Sequence, residues 1–292
     1  MTALDSLGVA VGALRPVGLA ELVSRAELLT RVDRKYVLPP ADLPFVLGGL
    51  DTGARVLEID GARDFGYRSL YFDTPRLDAY LGAVRGRRRR FKVRIRSYLD
   101  SGTDFLEVKT RGPRGTTVKH RIPYEDGPQD LRDLGGLRLD ARCRAYVDTV
   151  LAGAGIDSRG FGFRPTLTTT YRRTTLLLPD DGSRLTVDTG LVWRLPDGSE
   201  NSENSKNTGN SETSVSSDGS RALAVPGRAV VETKSGRAGS GADRLLWSLG
   251  HRPCTVSKYG TGLAALRPEL PAHRWLPVLR RHFPTALDGS LA

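Results

Sequence analysis

The run RRRRFKVRIRSY, from Arg87 to Tyr98, concentrates positive charge more densely than any other stretch of the chain. As a β-strand it sets Arg90, Lys92, Arg94 and Arg96 on one side and Phe91, Val93 and Ile95 on the other, because successive side chains alternate. Arg presents a planar fork that matches two phosphate oxygens, and Lys a point charge, so the charged side suits a phosphorylated anion. A single strand of this kind also fits a solvated outer face laid over a core.

Repetition of the pattern favours the anion site. Glu107, Lys109 and Arg111 alternate with Leu106, Val108 and Thr110; Lys119 and Arg121 alternate with Val118, His120 and Ile122. Arg184, Thr186 and Asp188 alternate with Leu185 and Val187, and Glu232 and Lys234 with Val231 and Thr233. A flat sheet exposing so many like charges would repel itself. A closed barrel turns them inward, where a polyanion neutralises them and low-dielectric walls strengthen each contact. Glu107 and Glu232 each stand two residues before a Lys on the same strand face, which fits an ion pair or an oxygen ligand for a hard divalent cation. For Glu232 the metal role is the favoured reading; for Glu107 both readings stand.

Composition agrees with an anionic partner. Lys and Arg total 44 against 33 Asp and Glu, a formal charge of +11 over 292 residues. Cys143 and Cys254 have no second Cys or His at ligand spacing, which excludes a zinc motif and points to a reducing, cytoplasmic setting. No run of about 18 apolar residues occurs, so no membrane insertion by this chain is expected. His120, His251, His273 and His282 are scattered and receive no catalytic role. There is no G-x-x-x-x-G-K-[ST] loop and no strand-linked G-x-G-x-x-G. Aromatic residues are not interleaved with the Arg run on its charged side, which argues against a nucleic-acid partner.

The elements that must position these residues are mostly strands, read from a period of two near 31–38, 54–59, 67–73, 88–98, 104–111, 116–124, 164–177, 183–193 and 227–235. Helical spacing predicts helices at 42–50, 77–84, 140–151, 242–249 and 258–266. Tyr67, Tyr71 and Phe72 read as core, and Asp73 and Thr74 as a cap on the following turn. The fold class expected is α+β, an antiparallel β-barrel with flanking helices. Residues 1–16 read as a flexible N-terminus and 17–270 as one domain. Within it, the Ser-, Asn- and Gly-rich stretch at about 198–220 reads as a disordered insertion. Residues 271–292 read as a tail or short docking helix.

DRKYVLP (33–39), YRSLYFDT (67–74), KVRIRSY (92–98), LEVKTR (106–111), YRR (171–173), RLTVDTGL (184–191), VETK (231–234) and SKY (257–259) resemble, in order and spacing, the VTC-type polyphosphate polymerase domain, a branch of the CYTH-like triphosphate tunnel metalloenzymes. The resemblance runs from about residue 27 to 266. It implies an eight-stranded antiparallel tunnel that holds a nucleoside triphosphate with a divalent metal, Mn2+ or Mg2+. There the γ-phosphoryl group of ATP would pass to a growing polyphosphate chain. Carried over by position, Lys35, Arg94, Arg96, Lys109, Lys119, Arg121, Arg173, Arg184 and Lys258 would contact phosphates, and Lys92 and Lys234, on the same charged strand sides, are further candidates for binding substrate. Tyr171 would donate a hydrogen bond, and Glu232 would hold the metal, with Glu107 the second metal candidate from its strand position. The chain has Asp33 where the family often has Glu, and Thr255 where it has a further Lys. Hydrolysis of triphosphate or tripolyphosphate on the same fold, and a non-catalytic polyphosphate-binding module, are the rival expectations. A regulatory or membrane partner is compatible with either.

Overall fold

The computed structural model describes residues 2–25, 32–112, 116–125, 137–196, 213–215, 221–236 and 238–284. In chain order its first elements are α1 (Ala3–Gly12), β1 (Arg15–Val17), α2 (Leu19–Arg25), β2 (Val32–Leu38), α3 (Leu43–Gly48), β3 (Arg55–Leu57) and β4 (Phe65–Asp73). Then come α4 (Asp78–Val84), β5 (Phe91–Tyr98), β6 (Thr103–Arg111), β7 (Thr117–Pro123), α5 (Ala141–Gly153), β8 (Arg164–Leu178) and β9 (Ser183–Arg194). The last are β10 (Thr213–Val215), β11 (Arg221–Ala224), β12 (Ala229–Ser235), α6 (Gly241–Ser248), α7 (Lys258–Leu266) and α8 (Leu276–His282). The fold is α+β, as expected: an antiparallel path of eight strands, β10-β11-β9-β8-β4-β5-β6-β7, with further strands joined to it and helices flanking.

The chain forms two compact units: Met1–Gly66 with Tyr171–Leu191 and Val225–Val256, and Tyr67–Thr170 with Val192–Ala224 and Ser257–Ala292. In the first, β12 lies between β2 and β9, pairing antiparallel with both. Tyr36, Val231, Val187 and Leu185 point to one side and bury with Leu7, Val11, Val46 and Leu246 in a single core cluster. The opposite parity carries charge. The register holds because Asp243, buried at the start of α6, collects donors from both strands. Its Oδ1 accepts from Tyr36 Oη and Thr233 Oγ1 at 2.6 Å each. Its Oδ2 accepts from the backbone N–H and Oγ of Ser240 at 2.8 and 2.9 Å, closing a capping box on the helix.

Residues 1–16, expected to fray, carry a helix and a strand instead. Thr2 and Asp5 form a capping box on α1, and Leu7 and Val11, one turn apart, enter the core. The apolar stripe is narrow, and the small residues around it, Gly8, Ala10 and Gly12, hide it from a periodicity reading. β10 falls inside the stretch read as a disordered insertion; the rest of that stretch lies outside the described residues.

In the second unit β4, β5, β6 and β7 pair in sequence order, all antiparallel. Phe91, Val93, Ile95, Leu106 and Val108 are all buried on one side, each worth about 1.5–3 kcal/mol. In the same unit α7 packs so closely that a Cβ on Gly262 would stand 2.3 Å from Cδ1 of the buried Trp193, and one on Gly260 2.2 Å from Trp275. Asp73 at the end of β4 accepts from the backbone N–H groups of Thr74, Ala79 and Tyr80, fixing the start of α4 as the sequence suggested. It also accepts from Tyr259 Oη at 2.5 Å, which ties α7 to the same point.

Candidate functional site

Register turns the alternating strands into cross-strand rows. In the second unit one row reads Tyr71–Arg94–Glu107–Arg121 and the next Lys92–Lys109–Lys119, with Arg96 beside Ser69 and Phe105. In these rows of β5 to β7, six cations meet one carboxylate, and Arg111 at the end of β6 adds a seventh cation to the same face. Like charges directly opposite on neighbouring strands repel, so the lysine row is stable only with a counter-anion or a shift in protonation. Both effects are legible in the charges. Burial, then Arg94 and Arg96, push the Lys109 ammonium well below its ordinary range. Lys119 is lowered too, chiefly by burial, against the pull of Glu107.

Glu107 is the counterweight. Burial pushes its carboxyl up, but Arg94, Arg96 and Lys119 outweigh that and hold it well below the usual carboxylate range. Arg94 Nε donates to Glu107 Oε2 at 2.8 Å, its Nη2 to the same oxygen, and Lys119 Nζ lies 3.5 Å from Oε1. Arg94 Nη1 donates to Tyr71 Oη at 3.3 Å. The guanidiniums of Arg94, Arg96 and Arg121 lie over the rings of Tyr71, Tyr67 and Phe105 at 5.9, 5.6 and 4.8 Å. Tyr67 and Tyr71, read from sequence as core, therefore belong to the charged side, where they fix the forks. Lys92 Nζ donates to Ser257 Oγ at 2.8 Å, which brings the start of α7, and with it Lys258, to the edge of the same face.

The first unit has its own charged face, nearly balanced in charge. Its rows are Lys35–Glu232–Thr186 and Asp33–Lys234–Arg184, with Val230 and Asp188 beyond. Arg173 Nε and Nη2 grip Asp188 Oδ1 and Oδ2 at 2.6 and 2.8 Å, and its guanidinium lies 5.3 Å from the Tyr171 ring. Four cations, Lys35, Arg173, Arg184 and Lys234, stand with three carboxylates, Asp33, Asp188 and Glu232. Burial raises the Glu232 carboxyl, but Lys234, in direct contact, then Lys35 and Arg173, hold it well below the usual range.

Among the described residues no three His, Cys, Asp or Glu side chains gather as a ready-made metal cage. Mg2+-type ions are commonly held by one or two carboxylates plus phosphate oxygens and water. The donor set fits that case, with Glu232 as the ligand whose carboxylate a single Lys contacts and Asp188 committed to Arg173. Sequence reasoning did not assign Asp188, although its place in RLTVDTGL, two positions from Thr186, puts it on the charged parity. Nor did it find Ser257, whose partner Lys92 is distant in the chain.

A family model described as the VTC domain matches residues 30–137 and 154–267. No curated protein matches. Among solved structures, the PH1819 protein of Pyrococcus horikoshii OT3 is 13% identical at a TM-score of 0.40, covering 82% of this chain and 98% of that one. A protein of Vibrio parahaemolyticus described as a candidate adenylate cyclase is 11% identical at 0.35, covering 75% and 86%. HpAC1 of Hippeastrum, described as a candidate adenylyl cyclase with a dominant triphosphatase activity, is 16% identical at 0.39, covering 84% and 100%.

Proposed function

The chain belongs to the VTC domain family, and on that premise we propose that it is a metal-dependent polyphosphate polymerase, an ATP:polyphosphate phosphotransferase that moves the γ-phosphoryl group of ATP onto a growing polyphosphate chain. The observation that carries this reading is the set of rows across β5, β6 and β7, where six cations meet a single carboxylate. Phosphoryl transfer passes through a loose transition state whose charge sits on oxygen, so positioning and charge neutralisation supply most of the catalysis.

In this reading Arg94, Arg96 and Arg121 bind phosphates through guanidinium forks held over aromatic rings. Lys92, Lys109, Lys119 and Lys258 act as point charges along the chain. Lys35, Arg173, Arg184 and Lys234 neutralise phosphoryl oxygens, and Tyr171 donates a hydrogen bond. Glu232 holds the metal, with Glu107 the second candidate. Mn2+ or Mg2+, when bound, would supply charge neutralisation across phosphate oxygens. A cytoplasmic setting fits a reaction that consumes ATP. No helix among the described residues is long and apolar enough to cross a membrane.

Incubation with ATP and Mn2+, followed by electrophoresis for long-chain polyphosphate, tests the reading. Polymer longer than any added primer is expected. Orthophosphate as the sole product would make the protein a triphosphatase, and absence of both turnover and tripolyphosphate binding would remove the reading. Glu232→Gln should abolish turnover while metal-free tripolyphosphate binding stays similar or tightens through lost repulsion.

A further inference from the structure

The basic face of the second unit does not stop at Lys92. Two residues further along the same parity stand Arg90 and, at the end of β6, Arg111. Beyond them the loop before β5 exposes Arg85, Arg87, Arg88 and Arg89. Arg274 reaches into this loop from the segment before α8: its Nη1 lies 3.6 Å from where a Cβ on Gly86 would stand. Arg90 is laid across the loop, its Nη1 donating to the Arg87 and Gly86 carbonyls at 2.6 and 3.4 Å. Burial, then Arg111 and Arg274, lower the Arg90 guanidinium from its ordinary value, so these three charges sense one another. Among the described residues, none of the seven arginines is paired with a carboxylate.

At about 3.3–3.4 Å per residue, the step from the Arg94 row to Arg90 is roughly 13 Å, longer than three phosphoryl groups in a row, and the loop extends it. We propose that Arg85 and Arg87 to Arg90, with Arg111 and Arg274, form an outer track that binds the distal part of a long inorganic polyphosphate chain and leaves triphosphate recognition to the inner rows. The inference rests on the polyphosphate reading above and deepens it. A polyanion without bases is favoured because, among the described residues, the one aromatic of the exposed large apolar side chains, Phe45, lies in the other unit, and base stacking needs an exposed aromatic platform.

The test compares binding of tripolyphosphate and of long-chain polyphosphate to the full chain and to a variant with Arg87, Arg88 and Arg89 all changed to Ala. Long-chain affinity should fall about tenfold or more, and the slope of its logarithm against log salt should flatten by about one per lost contact. Tripolyphosphate affinity should stay within about twofold. The corresponding triple Lys variant should keep most of the long-chain affinity. The track is overturned if the Ala variant binds long chains normally, if both ligands weaken equally, or if the Lys variant loses as much as the Ala variant. Duplex RNA or phosphatidylserine vesicles displacing long-chain polyphosphate at equal phosphate concentration would also overturn it. Wild-type protein that binds tripolyphosphate but long chains no more tightly refutes the track alone; wild-type protein that binds neither refutes the underlying reading.

Discussion

Replacing Glu107 by Gln removes the one negative charge from rows that hold six cations, while keeping the side chain's shape. In the wild type this carboxylate is buried, with 1% of its side chain exposed, and Arg94, itself 9% exposed, donates to it through two nitrogens. Removing one partner of a buried pair costs about 3–5 kcal/mol because the other charge is left uncompensated. Gln retains an acceptor oxygen, so the lower end applies, about 3 kcal/mol, or a Tm lower by about 6 °C or more. The loss has a defined pH signature. Because the folded carboxyl lies below its ordinary value, its contribution is complete above about pH 4.3 and disappears as pH falls through the depressed folded value. The two proteins should therefore differ at neutral pH and converge in strong acid. Ligand binding should move the other way: Arg94, released from Glu107, offers its fork to phosphate, a charge-assisted contact worth about 1.5–3 kcal/mol, so metal-free tripolyphosphate should bind about tenfold more tightly. Denaturant melts across pH and calorimetry with tripolyphosphate measure both. Unchanged stability at pH 7 together with unchanged or weaker binding would refute the claim that Glu107 neutralises this face.

Two further outcomes follow from the same geometry. Lys109 is held below its ordinary range, so between its folded value and about 10.4 the unfolded chain keeps a proton that the folded one has released; stability rises with pH through that window. A polyanion reverses the shift, so tripolyphosphate binding there should take up protons, read as different calorimetric heats in two buffers of unlike ionisation enthalpy, and Lys109→Met should reduce the difference, Lys119 carrying the remainder; equal heats for the wild type would contradict it. Tyr36→Phe removes a 2.6 Å hydrogen bond to the ionised Asp243 on the reverse side of β2 and should cost about 1.5–3 kcal/mol in a denaturant melt at unchanged m, with tripolyphosphate affinity within about twofold. A large loss of affinity would mean that the core side and the charged side of β2 are not independent.

Strand positions and parity were legible because one side of each strand is packed and the other charged, which writes a period of two directly into residues such as Phe91 to Arg96. Register was not. That Lys92, Lys109 and Lys119 line up depends on how the connections set each strand against the next, and no feature of a single strand reports it. The same gap explains Tyr67 and Tyr71. An aromatic in a strand reads as core, and Tyr71 is indeed buried, yet its hydroxyl and ring serve Arg94 from the charged side. Asp243 was invisible for another reason: its partners Tyr36 and Thr233 lie on two strands far apart in sequence, joined only once the sheet has formed.

The two charged faces differ in a way that composition alone cannot express. A net charge of +11 could be spread evenly, but the rows of the first unit's face balance four cations with three carboxylates, and the rows across β5, β6 and β7 set six against one. The first face is largely neutralised from within, with Asp188 committed to Arg173, and Glu232 is the carboxylate left to orient a cation beside bound phosphate. The second carries unrelieved repulsion along its lysine row, which a ligand of high charge density removes. Anything that binds only the folded state stabilises it, by about 2.7 kcal/mol at a hundredfold excess over Kd. On the proposed reading, a polyphosphate that relieves this repulsion would act as structural counter-ion as well as substrate, and the selectivity would be for charge density along a line rather than for the shape of any one phosphate.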